Sequence, residues 1–219
     1  MTVEVKICGL KTEAALDAAL SSGADYVGLV FCAASPRNLD FETAHRLAER
    51  ARGRAKIVTL LVDPDDTLLE LVVAAVAPDI IQLHGSETPQ RVAEVSKRLG
   101  RPVLKAVKVA DADDALGALI YAGKADRILF DAKPVPGAGS AFPGGNGVPF
   151  DWEALAGVRG KLDYMLAGGL TPANVAEAIR LTGATAVDVS SGVESRPGEK
   201  DPELIRSFLH AAKTAREAR

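Results

Sequence analysis

Ile80-Ile81-Gln82-Leu83-His84-Gly85, followed by Thr88-Pro89 and a helical pattern running to Leu99, is one complete strand-then-helix unit. The short apolar run predicts a strand over Ile80–His84. Threonine before proline offers an N-cap with proline at the first helical position, where the missing N–H costs nothing. A helix is therefore expected over Pro89–Leu99.

The same unit repeats in both directions. Strands are expected at Val3–Cys8, Tyr26–Phe31, Lys56–Val62, Val103–Val107, Arg127–Asp131, Tyr164–Ala167 and Ala186–Ser190. Helical patterns fall at Thr12–Ser22, Phe41–Arg52, Asp66–Val76, Ala112–Tyr121, Trp152–Ala156, Pro172–Leu181 and Pro202–Ala215, with Thr171-Pro172 and Asp201-Pro202 repeating the cap signal. Strand starts recur at roughly two to three dozen residues, the length of one βα unit. Near-continuous apolar strands alternating with helices imply a parallel sheet covered on its faces. Eight units favour closure over an open doubly wound sheet, so the expected fold is α/β: a (β/α)8 TIM barrel, a single domain over 1–219. One connection is out of scale. The glycine- and proline-rich stretch from Ala132 to Asp151 follows the sixth strand, and a loop that long is usually functional or disordered.

The bulk numbers narrow the function. With 47% hydrophobic and 25% charged residues, the 219-residue chain reads as an ordinary globular protein. Its net charge of −3 argues against a general nucleic-acid binder, though not against a local anion site. Two cysteines, Cys8 and Cys32, make no disulfide framework and suit a reducing compartment. No apolar signal core or membrane span is evident, so a cytoplasmic protein is expected.

In a barrel, chemistry gathers at the C-terminal strand ends. Side chains alternate along a strand, so Lys6 shares a face with Cys8, Gln82 with His84, and Asp188 with Ser190. Ile7, Leu83 and Val189 between them suit the helix-facing side, which turns the polar sets into the mouth. The seventh strand runs into Gly168-Gly169 and the eighth into Ser190-Ser191-Gly192, the two loops that commonly bind phosphate in such barrels. Plain turn glycines are the alternative. Cys8 and Asp131 are the candidate acid–base residues, on strands far apart around the ring. Singly, Cys8 could be a small core residue and Asp131 a cap. Lys6 and the phosphate-loop dipoles could lower the Cys8 pKa. Lys6 should pair with Asp188 across the closing seam, unless it snorkels to solvent. Arg37, after the proline of Ser35-Pro36-Arg37, could grip a carboxylate, although a lone arginine is more often a surface residue. His45 and His210 read as surface residues, and Cys32 as packing or loop-facing. His84 with Cys8 lacks a third ligand, so no metal is expected. A Cys–His nucleophile pair would lack an orienting third group.

These segments resemble the phosphoribosylanthranilate isomerase family of tryptophan biosynthesis. The resemblance is carried by Lys6-Ile7-Cys8-Gly9-Leu10, Ser35-Pro36-Arg37, Gln82-Leu83-His84-Gly85, Leu129-Phe130-Asp131, Gly145-Asn146-Gly147 through Phe150-Asp151-Trp152, Ala167-Gly168-Gly169-Leu170 and Asp188-Val189-Ser190-Ser191-Gly192-Val193-Glu194. It spans nearly the whole chain. The Lys133–Pro143 loop is longer than in the family's shortest forms, and Asn146 stands where threonine is common. The resemblance implies an Amadori rearrangement of N-(5-phosphoribosyl)anthranilate. Asp131 would be the general acid and Cys8, as thiolate, the base at C2. Arg37 would hold the anthranilate carboxylate, and Gly168, Gly169, Ser190, Ser191 and Gly192 the phosphate. Lys6, Gln82, His84 and Asp188 would support them. No cofactor is needed, because the imine formed on ring opening acidifies the C2 proton. The expected partner is a small phosphorylated substrate, with no nucleic acid or membrane, on a monomer or homodimer. Two rivals remain: a phosphosugar epimerase, which would want paired acids and metal-type histidines, and a non-catalytic phosphate-ligand binder, which would leave Cys8 and Asp131 without a purpose.

Overall fold

A computed structural model of the chain describes residues 2–133 and 150–216. The strands are β1 (Glu4–Cys8), β2 (Tyr26–Phe31), β3 (Lys56–Leu61), β4 (Ile80–Leu83), β5 (Val103–Val109), β6 (Arg127–Ala132), β7 (Tyr164–Leu166) and β8 (Ala186–Val189). All pair in parallel with their neighbours in sequence, and β8 returns to β1, closing the barrel with Lys6 opposite Asp188.

Two packed layers make the core. Val5, Ile7, Leu83, Val187 and Val189 face outward into the layer under the helices. Tyr26, Val58, Leu104, Leu129, Met165 and Ala186 fill the barrel interior. The alternation read from the sequence thus sends Ile7, Leu83 and Val189 to the helix side. A device repeats at the floor: Asp25, Asp79 and Asp126, each just before an even-numbered strand, accept the N–H of Val5, Ile57 and Val103 on the strand before it.

The helices are α1 (Glu13–Ser21), α2 (Phe41–Ala51), α3 (Asp66–Val76), α4 (Pro89–Leu99), α5 (Ala112–Gly117), α6 (Val175–Thr182) and α7 (Pro202–Thr214). The Thr88-Pro89 and Asp201-Pro202 caps form as expected: Thr88 Oγ1 accepts from Arg91 N–H and Asp201 Oδ1 from Glu203 N–H. The expected start of the next-to-last helix at Thr171-Pro172 is wrong. There Asn174 accepts the Thr171 N–H and donates to the Gly169 carbonyl, holding a turn, and α6 starts three residues after Pro172. Two other segments are tighter than expected. Ala118–Tyr121 and Trp152–Val158 are 3₁₀ helices. After β8 comes an unforeseen hairpin, β9 (Glu194–Arg196) with β10 (Glu199–Lys200). Most of the stretch from Ala132 to Asp151, including Gly145-Asn146-Gly147 and nearly all of the Lys133–Pro143 departure, lies outside the described residues.

Candidate active site

The strand ends open onto one cavity of about 710 Å³, counted with its mouth, a size suited to a small-molecule ligand. Cys8 from β1, Arg37 after β2, His84 after β4, Asp131 from β6 and Asp188 from β8 line it, together with Gly168-Gly169 and Ser190-Ser191-Gly192. The candidate thiol and carboxylate therefore share one chamber, whose wall includes both glycine loops.

Those loops fit each other backbone to backbone. Gly168 has φ +81°, a region that strains any other residue, and a Cβ on Gly192 would overlap the Leu170 carbonyl. Side chains are thereby kept out of the place where main-chain N–H groups can approach an anion.

Lys6 does not snorkel. It is 0% exposed and donates to Asp188 Oδ1 at 3.0 Å. Burial works against its ammonium, but Asp188 and the Cys8 sulfur more than offset that, and its pKa ends above the ordinary value. Cys8 itself corrects an expectation. Burial pushes its thiol up; Lys6 and Lys200 pull it down and Asp188 pushes it up again, so the net shift is upward rather than toward a ready thiolate.

Arg37 is no surface residue. Only 7% exposed, it makes a two-pronged pair with Glu194, Nε to Oε1 at 2.7 Å and a terminal nitrogen to Oε2 at 2.9 Å. Lys200, brought back by the β9–β10 hairpin, donates to Glu194 Oε1 at 2.7 Å, to the Ser190 carbonyl at 2.9 Å and to Ser190 Oγ at 3.2 Å. Burial raises the Glu194 carboxyl, yet Arg37 and Lys200 hold it below the usual range. Glu194 and Lys200 were missed as site residues. The Pro197-Gly198 turn between them was the available signal, since it folds Lys200 back beside Glu194.

His84 turns its Nε2 to Asp131 Oδ2 at 3.2 Å, and Gln82 lies behind it, 3.0 Å from Nδ1. A Cys–His pairing is thus not what the histidine makes. Cys32, expected in packing or loop, lines the cavity rim. His45 and His210 are exposed. No group of three or more potential metal ligands forms among the described residues. Below the rim, Lys105 and Glu87 form a second buried pair at 2.7 Å, also missed, and Glu87 accepts the N–H groups of Asp63 and Gly85. Among the described residues, no helix is long and apolar enough to cross a membrane.

The family model for N-(5'-phosphoribosyl)anthranilate (PRA) isomerase matches residues 5–211. The N-(5'-phosphoribosyl)anthranilate isomerase of Parvibaculum lavamentivorans is 53% identical over 98% of this chain and 100% of its own. A phosphoribosylanthranilate isomerase structure from Thermotoga maritima superposes with a TM-score of 0.86 at 35% identity, covering 96% of this chain and 98% of that one. Another isomerase structure, in complex with reduced 1-(o-carboxyphenylamino)-1-deoxyribulose 5-phosphate, superposes with a TM-score of 0.84 at 33% identity over 96% and 98% of the two chains.

Proposed function

The chain belongs to the N-(5'-phosphoribosyl)anthranilate isomerase family, and from that premise we propose that Asp131 and Cys8 carry out its reaction as acid and base. The activity is an aldose–ketose isomerisation in tryptophan biosynthesis, converting N-(5'-phosphoribosyl)anthranilate to 1-(2-carboxyphenylamino)-1-deoxyribulose 5-phosphate. The observation carrying the residue roles is that Cys8 and Asp131 line one cavity with the two glycine loops.

Asp131 gives its proton to the ribose ring oxygen. The C1–O bond breaks as the anilino nitrogen lone pair forms a protonated imine. That imine withdraws electrons from C2, so the Cys8 thiolate can take the C2 proton, and the freed pair forms the C1–C2 double bond of an enolamine. Gaining a proton at C1 and losing one from the C2 hydroxyl gives the ketone. Lys6 beside the sulfur stabilises the thiolate against the upward pull of burial. Backbone N–H groups of Gly168-Gly169 and Ser190-Ser191-Gly192 hold the phosphate. Arg37, with its Nε edge taken by Glu194, offers the remaining edge of its guanidinium to the anthranilate carboxylate.

The whole chain works as one barrel domain, in the cytoplasm, as a monomer or homodimer. Adding phosphoribosylanthranilate to the purified protein should make its fluorescence decay. A protein that binds the substrate without consuming it would be a ligand-binding barrel instead.

A further inference from the structure

Behind the proposed acid lies a row of buried polar groups for which packing gives no reason. Gln82 is 0% exposed, in a barrel interior whose neighbouring positions are the apolar Val58, Leu104, Leu129 and Met165. Its Oε1 is buried and finds no partner among the described residues. A leucine there would avoid that cost, because a buried polar atom without a hydrogen bond is destabilising. What Gln82 does contact is His84: Nε2 lies 3.0 Å from Nδ1, and the far side of the ring places its Nε2 3.2 Å from Asp131 Oδ2. The other Asp131 oxygen accepts the Ala132 N–H at 3.0 Å.

The row has a direction. An amide nitrogen donates and does not accept, so Gln82 facing Nδ1 makes that ring atom the acceptor. The neutral ring then carries its proton on Nε2, which donates to Asp131. Taking Asp131 as the acid, as in the reading above, we propose that Gln82 and His84 are positioning residues forming a one-way donor chain that stabilises the carboxylate left when Asp131 protonates the substrate. Neither transfers a proton: the Asp131 O–H bond breaks, the ring-oxygen O–H bond forms, and the His84 Nε2–H bond stays intact while its hydrogen bond tightens. The Ala132 N–H supports the other oxygen, so both carboxylate oxygens meet a donor that needs no rearrangement during the reaction. Among the described residues, the other charged or titratable groups sharing a cavity wall with the ring are Cys8, Cys32, Arg37 and Asp188 on the substrate side, and Asp63, Lys105, Lys108 and Tyr121 on the outer side.

The test is ¹⁵N NMR of the His84 ring in the unmodified protein, combined with kinetics of Gln82→Met. The chain predicts a protonated Nε2 and a bare Nδ1 in the neutral ring. With Gln82→Met, the tautomers mix and kcat falls about tenfold while KM holds, the loss of one charge-assisted hydrogen bond. A ring protonated at Nδ1 in the unmodified protein overturns the proposal without any variant being made. So does a Gln82→Met protein with unchanged tautomer and unchanged kcat. Failure of the underlying reading is distinct: Asp131→Asn would keep its turnover, whatever the ring nitrogens show.

Discussion

Arg37 and Glu194 lock together across the mouth, two nitrogens on two carboxylate oxygens at 2.7 and 2.9 Å, joining the loop after β2 to the strand that begins the hairpin after β8. The arginine proposed to hold the substrate carboxylate is itself held by a carboxylate of the protein. The pairing orients the guanidinium, and orientation is where a planar fork gains over a flexible ammonium. Glu194→Gln should therefore raise KM for phosphoribosylanthranilate several-fold with a smaller effect on kcat, and Arg37→Ala should raise it further. Steady-state kinetics on both variants measure this. Unchanged KM in Arg37→Ala would remove the arginine from substrate binding.

The Cys8 thiol gives a pH prediction. Its pKa is raised, chiefly by burial, and the base form is the thiolate. The rising limb of kcat/KM against pH should then lie above the ordinary cysteine value. Lys6 opposes that rise, so Lys6→Met should move the limb further toward alkaline pH. A limb below the ordinary value, or one that Lys6→Met moves toward acid, contradicts the assignment of Cys8 as the base.

Glu87 and Lys105 tie the loops after β3 and β4 to β5 from inside the protein. Replacing one partner leaves the other charge buried and alone, so Glu87→Gln should cost about 3 kcal/mol in denaturant unfolding. Burial raises the Glu87 carboxyl, but Lys105 and the backbone N–H groups more than offset it, leaving the folded-state pKa below its unfolded value. This stabilisation is complete above the unfolded pKa and is lost as pH falls through the folded one. Urea midpoints across the acid range should accordingly fall less steeply for Glu87→Gln than for the unmodified protein.

Gly192 carries a prediction for the proposed phosphate loops. A methyl group there would overlap the Leu170 carbonyl, so Gly192→Ala must move one loop against the other. Affinity for a phosphorylated product analogue should fall at least tenfold, measured by titration calorimetry. Affinity for inorganic phosphate should fall with it, because the loops would serve the anion rather than the sugar.

How much of this was legible in the sequence depended on whether the signal was local. Alternation along a strand is local, so Lys6 with Cys8, Gln82 with His84, and Asp188 with Ser190 could be turned toward the mouth from spacing, while Asp131 was placed only by its position at a strand end. Caps are local too, and Thr88 and Asp201 start their helices as read. Thr171-Pro172 carried the same signal and misled, because Asn174 two residues beyond the proline captures the Thr171 N–H and delays the helix. Arg37 could not be read from Ser35-Pro36-Arg37, since what buries it is Glu194, 157 positions away in sequence. Glu87 and Lys105 had no sequence signal at all. An ion pair between a loop and a neighbouring strand leaves no periodicity, and only the closed barrel brings the two together. The chemistry of Cys8 was half legible: its place was clear, but the balance between burial and two cations needs coordinates.

Cys8 and Asp131 are proposed to act together on one sugar bound in the single chamber they both line. Turnover of phosphoribosylanthranilate by Cys8→Ala and Asp131→Asn tests this most directly, with thermal melts run alongside. Each variant should melt close to the unmodified protein and lose about 10² to 10⁴-fold in kcat, the usual contribution of one general acid or base. A properly folded variant of either kind that retains kcat within a few-fold of the original contradicts the account.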